Sequence, residues 1–360
     1  MYRMRLVDRW FPAPRVLIPR TMGIDISDTS VKWLALDRAY DGAHMTHYGS
    51  TVLEHGVVEG GVIRDEGVLE RVLRSIKTQV KGIGYVHVAL PEEAAYVFSM
   101  HVPPGTPREQ VLKLIEFEFE GRVPILPAAS VYDYDVIKED SEGSEIGVTV
   151  FPREVADVYL RVCAAAGFSV WSFEIGARSI ARAALTDVSD EMVLLVDFGE
   201  TRTSFAVVHA SIPIFTSTIA LGGADVTRAI MEASARTAED AERFKNEQGI
   251  LGVGEAEIGS KAANNVVQKL VDEVARHFHF WDTRRDERGA RVTPVAKVVL
   301  VGGSSNIKGL TDSIATAVHA PVERASMLPR ITCATCEIPP IDRKASLGYA
   351  TTIGLALRTV

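Results

Sequence analysis

One device occurs twice in this chain. At residue 23 the sequence reads "GIDISDTSVKWLALD", and at residue 192 it reads "MVLLVDFGETRTSFAVVHA". In each, an apolar strand ends on an aspartate, Asp25 or Asp197. A short turn rich in hydroxyl, glycine and charged side chains follows, and then a second apolar strand. Further strands and helices come after each copy. A duplicated α/β domain explains this pattern with one folding unit used twice, and 360 residues exceed what one compact core usually holds.

The segments between the copies extend the α/β reading. Strand character runs through 22–27 and 31–37 and resumes around 46–53, and "YVHVALP" is a strand ended by Pro91. "RDEGVLERVLRSIKTQV" has Val68, Leu69, Val72, Leu73 and Ile76 on one helical face. A second helix carries Val111, Leu114 and Ile115 inward and stops before "VPILP", whose prolines forbid continuation. "SVYDYDVIKE" and "EIGVTVF" are strands, a helix covers 153–166 with Gly167 as its stop, and "WSFEIGARSIARAAL" is expected to be an Ala-rich helix.

Composition excludes several classes. Apolar residues make up 47% and charged residues 24%, which is globular rather than disordered. The net charge of −8 leaves no basic footprint for nucleic acid. No apolar run approaches the roughly 20 residues of a membrane span. The Arg-rich start, residues 1–21, lacks the apolar stretch of a signal peptide and reads as a leader outside the fold. Three cysteines suit a reducing, cytoplasmic compartment. The lone C-x-x-C of Cys333 and Cys336 lacks the further ligands of a structural zinc site. His277 and His279 lie in an apolar helical stretch and are expected to pack there.

A third junction, "AKVVLVGGSSNIKGL", runs a strand into Gly302, Gly303, Ser304 and Ser305 and then a helix. Glycines let a ligand approach the backbone, and a helix start offers free N–H groups. Hairpins with hydroxyl and glycine turns can cradle phosphates through backbone N–H groups. Ser27, Thr29, Ser30, Gly199, Thr201 and Thr203 supply such turns. Asp25 and Asp197, at the strand ends, are placed to share a hydrated Mg²⁺ bridging the phosphates. The P-loop and the dinucleotide fingerprint are both missing.

Two phosphate hairpins and a Gly-Gly loop in this order resemble the actin, heat-shock chaperone and sugar-kinase superfold. Within it the chain resembles the PilM family of actin-like type IV pilus assembly proteins, relatives of FtsA, over residues 22 to 357. The resemblance implies a two-lobed, actin-like α/β fold with a small inserted α+β subdomain of the 1C type. Residues 22–84 and 165–190 would form the first lobe and 85–164 the insert. Residues 191–360 would form the second lobe, with their last segment returning to the first.

It also implies ATP and Mg²⁺ as ligands. Lys32 belongs with the first hairpin, Gly222 and Gly223 match the family's Gly-Gly turn, and Glu242 and Lys245 its ribose- and base-contacting pair. Gly302, Gly303 and Ser304 match its adenosine loop, and Glu174 is the candidate to orient an attacking water. By the same resemblance, the partner is a PilN-like inner-membrane protein, whose N-terminal peptide is expected to bind between the insert and the first lobe. Phe117, Phe119, Val123, Ile125, Tyr132 and Tyr134 supply apolar material there, or the insert's own core. Self-association into a ring or filament is a further expectation, with localisation at the cytoplasmic face of the inner membrane.

The chain departs from the family at three points. Ser27 stands where glycine is usual, Asp28 where serine or threonine is, and Glu200 where a small residue is. Like charges 4 Å apart cost on the order of 4 kcal/mol at an effective dielectric of 20, so two added carboxylates weaken triphosphate binding unless metal, Arg202 or Lys32 offsets them. Turnover is therefore expected to be weak at most. A sugar-kinase-type enzyme and an FtsA-like membrane filament remain as alternatives. The first lacks an identifiable catalytic aspartate, and the second an amphipathic tail after "GLALRTV".

Overall fold

The computed structural model describes residues 19–39, 42–185, 190–285, 293–331 and 341–359. The leader through residue 18, Cys333 and Cys336 lie outside the described residues. Strand β1 (Thr21–Ile26) pairs antiparallel with β2 (Ser30–Ala39), and β2 with β3 (Gly42–Val52). After a small hairpin of β4 (Val58–Glu59) and β5 (Val62–Ile63) comes helix α1 (Glu66–Gln79). The Asp65 side chain caps α1 by accepting from the Val68 N–H. Leu69, Leu73 and Ile76 form its buried stripe, each such side chain contributing about 1.5–3 kcal/mol.

Strand β6 (Tyr85–Leu90) runs parallel to β1 on its other side, and β10 (Ser169–Ile175) parallel to β6. The first sheet thus has the order β10-β6-β1-β2-β3. The second lobe repeats this plan. β11 (Met192–Phe198), β12 (Thr203–His209) and β13 (Ile212–Ile219) form the antiparallel meander, and β14 (Val295–Val301) and β15 (Val322–Arg324) the parallel extension. Its order, β13-β12-β11-β14-β15, matches the first strand for strand. Asp25 and Asp197 hold equivalent places near the ends of the two central strands, and the duplication inferred from the hairpins holds throughout both sheets.

The insert is smaller than the sequence suggested. It comprises β7 (Tyr96–Val102), helix α2 (Arg108–Arg122), β8 (Ser130–Asp140) and β9 (Gly143–Pro152), with sheet order β7-β9-β8. The expected range of 85–164 took in two elements of the first lobe. β6 lies between β1 and β10, and α3 (Arg153–Ala165) buries Ala156, Tyr159, Val162 and Cys163 in the first lobe's core. Periodicity along one element does not say which core its apolar face meets.

A second correction concerns "WSFEIGARSIARAAL". Its first five residues belong to β10, and helix α4 (Gly176–Ala184) begins only at Gly176. β10 is fixed by parallel pairing, with Phe173 opposite Val88 and Glu174 opposite Ala89. This short period-2 stretch was masked by the alanines that follow. Helices α7 (Glu257–Asp282), α8 (Leu310–Val318) and α9 (Arg343–Leu347) precede the C-terminal helix α10 (Ala350–Ala356), which the small residues of α4 let approach closely: a Cβ on Gly354 would lie 1.8 Å from the Ser179 carbonyl. α10 also covers β1, so the chain end returns to the first lobe. Of the two histidines, His277 packs against the Phe205 ring with centroids 4.6 Å apart, whereas His279 is exposed. Among the described residues no helix is long and apolar enough to cross a membrane.

Candidate functional site

The carboxyl ends of parallel strands in an open α/β sheet are where ligands usually bind. Here β1, β6, β11 and β14 all end on one cavity of about 940 Å³ between the lobes. Asp25 and Asp197 both line it. Burial raises the Asp25 carboxyl, and Asp197 is pushed up to about 6 by burial and then by the charge of Asp25. The charge of Lys32, Asp25's cross-strand neighbour, works against both shifts. Two buried acids that feel each other, with one amine beside them, leave an excess negative charge suited to a divalent cation. Among the described residues no three His, Cys, Asp or Glu side chains converge as a metal cage. A cation at Asp25 and Asp197 would complete its shell with water and ligand oxygens, as Mg²⁺ commonly does.

The first turn explains its departures from the family. The Ser27 hydroxyl donates to the Ser30 carbonyl at 3.0 Å, and the Ser27 N–H reaches the same oxygen at 2.9 Å. Ser27 is not among the residues with positive φ, so this turn does not need glycine there. Asp28 accepts from the Gly60 and Gly61 N–H groups, both at 3.2 Å, and from Arg202. It therefore anchors the β4–β5 turn rather than standing as a bare charge. Across the cleft, the Thr29 hydroxyl donates to Glu200 at 3.0 Å.

In the second turn the Gly199 carbonyl accepts from Gly223 N–H at 3.0 Å and from the Ser304 hydroxyl at 2.9 Å. This ties together the second hairpin, the start of α5 (Gly223–Ser234) and the third junction. The contact is close: a Cβ on Gly222 would lie 2.2 Å from the Glu200 carbonyl, and one on Gly302 would lie 2.5 Å from an Asp197 carboxylate oxygen. Gly302 also has φ 86°, a conformation that favours glycine. At Gly303 a Cβ would meet nothing, so the backbone there faces open cavity. On α6 (Ala238–Glu247), the buried Lys245 ammonium donates to Glu242 at 2.7 Å and to Thr227 at 3.0 Å.

Of the residues proposed from sequence, Asp25, Ser27, Thr29, Lys32, Asp197, Gly199, Thr201, Glu242, Lys245, Gly302, Gly303 and Ser304 line the cavity together. Ser30, Thr203, Gly222 and Gly223 do not. The Thr203 hydroxyl is buried and donates to the Leu221 carbonyl at 2.7 Å, and the two glycines serve loop packing. Glu174 lies outside the cavity lining. Its carboxylate is buried against Arg182 at 2.6 Å, Arg358 at 2.5 Å and the Ser179 hydroxyl at 2.6 Å. Burial alone would raise it, but these donors hold it below the usual carboxylate range. An acid so saturated, and outside the cavity lining, is not placed to orient water in the cleft.

A further carboxyl that lines the cleft is Glu92, which follows β6 just after the strand-ending Pro91 and was given no role from sequence. Its side chain accepts from the Ala177 N–H at the start of α4. Burial pushes it up to about 7, helped by the charge of Asp197. The cue was "ALPEE", another apolar strand running into acid, but without a second strand to complete the repeated device. The folded protein holds Glu92 protonated more readily than the unfolded chain does. That contribution is complete below about pH 4.5 and is lost as pH rises through about 7. Glu92→Gln should therefore raise stability at pH 8 by about 3 kcal/mol and at pH 5 by under about 1 kcal/mol. Urea titrations at the two pH values check this, and a variant equally or less stable at pH 8 contradicts it.

Comparison with known proteins bears on this geometry. A family model described as type IV pilus assembly protein PilM matches residues 23–360. The chain belongs to that family. Its fold is similar to that of a PilM-PilN type IV pilus biogenesis complex, with a TM-score of 0.77 and 19% identity, covering 94% of this chain and 98% of that one. It is also similar to the ethanolamine utilization protein EutJ from Carboxydothermus hydrogenoformans, with a TM-score of 0.56, 15% identity and coverage of 96% and 91%. MreB5 of Spiroplasma citri bound to ADP gives a TM-score of 0.56 at 12% identity, covering 94% and 95%. The chain is thus an actin-like type IV pilus assembly protein, and these likenesses establish its fold.

Proposed function

We propose that this PilM-family chain binds ATP with Mg²⁺ in the interlobe cleft and docks the N-terminal peptide of a PilN-like membrane protein. The observation that carries the nucleotide reading is the meeting of Asp25 and Asp197, from equivalent strands of the two lobes, in one cavity. Asp25 and Asp197 would hold the cation, largely through water. Thr29, Gly199 and Thr201 would face the phosphates, Glu242 and Lys245 the ribose and base, and Gly302, Gly303 and Ser304 the adenosine. The cation would supply charge neutralisation between carboxylates and phosphates. Glu92, half-ionised near neutral pH, is the side chain placed to take a proton from water. Asp28 adds no free charge, since Arg202 pairs with it, whereas Glu200 is held by the neutral Thr29 hydroxyl and keeps its charge. A peptide partner of this kind would hold the protein at the cytoplasmic face of the inner membrane.

For docking, the expected apolar set divides. Phe119 and Val123 are buried in the insert's core, and Ile125, Tyr132 and Tyr134 pack against it. Phe117 is 77% exposed on α2, with Leu126 at 74% and Leu114 beside it in the helix. Exposed apolar side chains in one small subdomain suit an apolar peptide segment. Phe117→Asp in the full-length protein should abolish pull-down by an N-terminal peptide of a PilN-like partner while leaving the melting temperature within about 2 °C, as surface substitutions usually do. Retention equal to wild type would exclude this face as the dock.

A further inference from the structure

Arg202 stands in the second hairpin, yet its guanidinium crosses the cleft and bonds both Asp28 of the first hairpin and Glu93, which follows β6. All three line the cavity between the two turns. The side chain is only 24% exposed, so this clasp sits in the cleft rather than on its rim. The cavity's other basic groups are placed differently. Lys245 is engaged by Glu242 and Thr227, Arg228 pairs with Asp225, and Lys32 lies beside Asp25 and Asp197. Arg202 is therefore the cation that spans the gap between the two phosphate turns.

Both of its partners can release it without being stranded. Asp28 keeps two backbone donors, the Gly60 and Gly61 N–H groups. The Glu93 side chain is 27% exposed and can be hydrated. A guanidinium presents paired donors that match phosphate oxygens, and a terminal phosphate offers more charge than either carboxylate. Resting on the nucleotide reading above, we propose that Arg202 is the residue that distinguishes a nucleoside triphosphate from a diphosphate. It exchanges Asp28 and Glu93 for the terminal phosphate when the triphosphate binds. A diphosphate leaves the clasp in place, so the bridge between lobes is intact in the free and diphosphate states and opened only by the triphosphate. Asp28 then serves as the parking place for the arginine.

The test is calorimetry of ATP and of ADP, each with Mg²⁺, on the full-length wild type, Arg202→Ala and Glu93→Gln. Arg202→Ala should weaken ATP by about tenfold or more and change ADP by less than about threefold, because a charge-assisted hydrogen bond is lost with one ligand only. Glu93→Gln, which removes one competitor for the guanidinium, should tighten ATP several-fold and leave ADP unchanged. It also keeps the question answerable if Arg202→Ala fails to fold. Equal weakening of both nucleotides by Arg202→Ala would show that Arg202 only braces the lobes, and that overturns the proposal alone. No change in the ATP-to-ADP ratio in either variant overturns it too. Wild type binding neither nucleotide would instead defeat the nucleotide reading, and this proposal with it.

Discussion

Replacing Glu174 by alanine is expected to destabilise the protein by about 3–5 kcal/mol, the usual loss when one partner of a buried ion pair is removed. The side chain is 6% exposed and accepts from two arginines and a serine. Without it, among the described residues Arg182 keeps the Gly354 carbonyl at 2.8 Å and no carboxylate partner. The effect should spread to the chain end, because Arg182 and Arg358 join β10 and α4 to α10 and the turn after it. Urea denaturation of Glu174→Ala measures the loss, and a change under about 1 kcal/mol would show that the cluster is solvated and unimportant. Glu174→Gln keeps hydrogen-bond acceptors and should cost less. Any ATP turnover per folded molecule should be the same in both variants as in wild type.

How much of this was legible beforehand depended on whether a residue's role is local. Asp25 and Asp197 were readable because each ends an apolar strand before a polar turn, a pattern visible within fifteen residues. The repeat then implied equivalent places in two sheets, and the sheets have that relation. Glu92 gave no such pattern, since its importance comes from β6 lying parallel to β1, and pairing partners are not written along a strand. Glu174 was misplaced for a related reason: an alanine-rich helix extended the apparent period backward over a strand. Asp28 and Glu200 looked like uncompensated charges because their partners, Gly60, Gly61, Arg202 and Thr29, come from other loops. The apolar set of the insert read as docking surface or core, and all of it but Phe117 lies in or against the core, a division that depends on which element packs on which and is not written along the chain.

The second large effect concerns the metal. With Asp25, Asp197 and Lys32 together, the cleft base carries one net negative charge. Asp197→Ala cancels it, leaving Asp25 opposed by Lys32. Magnesium-dependent ATP affinity should fall by on the order of 100-fold, to the level seen for wild type in excess chelator, because charged-group contacts are worth roughly 1.5–3 kcal/mol each. The same chemistry sets a pH dependence. With Asp197 pushed up to about 6 by burial and the charge of Asp25, magnesium-dependent affinity should drop as pH is lowered through 6 and be fully present above about 7. An Asp197→Ala variant that binds MgATP as tightly as wild type would remove that residue from the metal site.

A nucleotide bound as proposed would touch four separate stretches of chain from both lobes. Hydrogen–deuterium exchange of the full-length protein with and without MgATP tests this most directly. Protection should appear together in residues 25–32, 197–204, 223–246 and 302–305, on both lobes, and should vanish in Asp197→Ala. Absence of protection in all four, or protection confined to one lobe and unaffected by Asp197→Ala, would contradict the account.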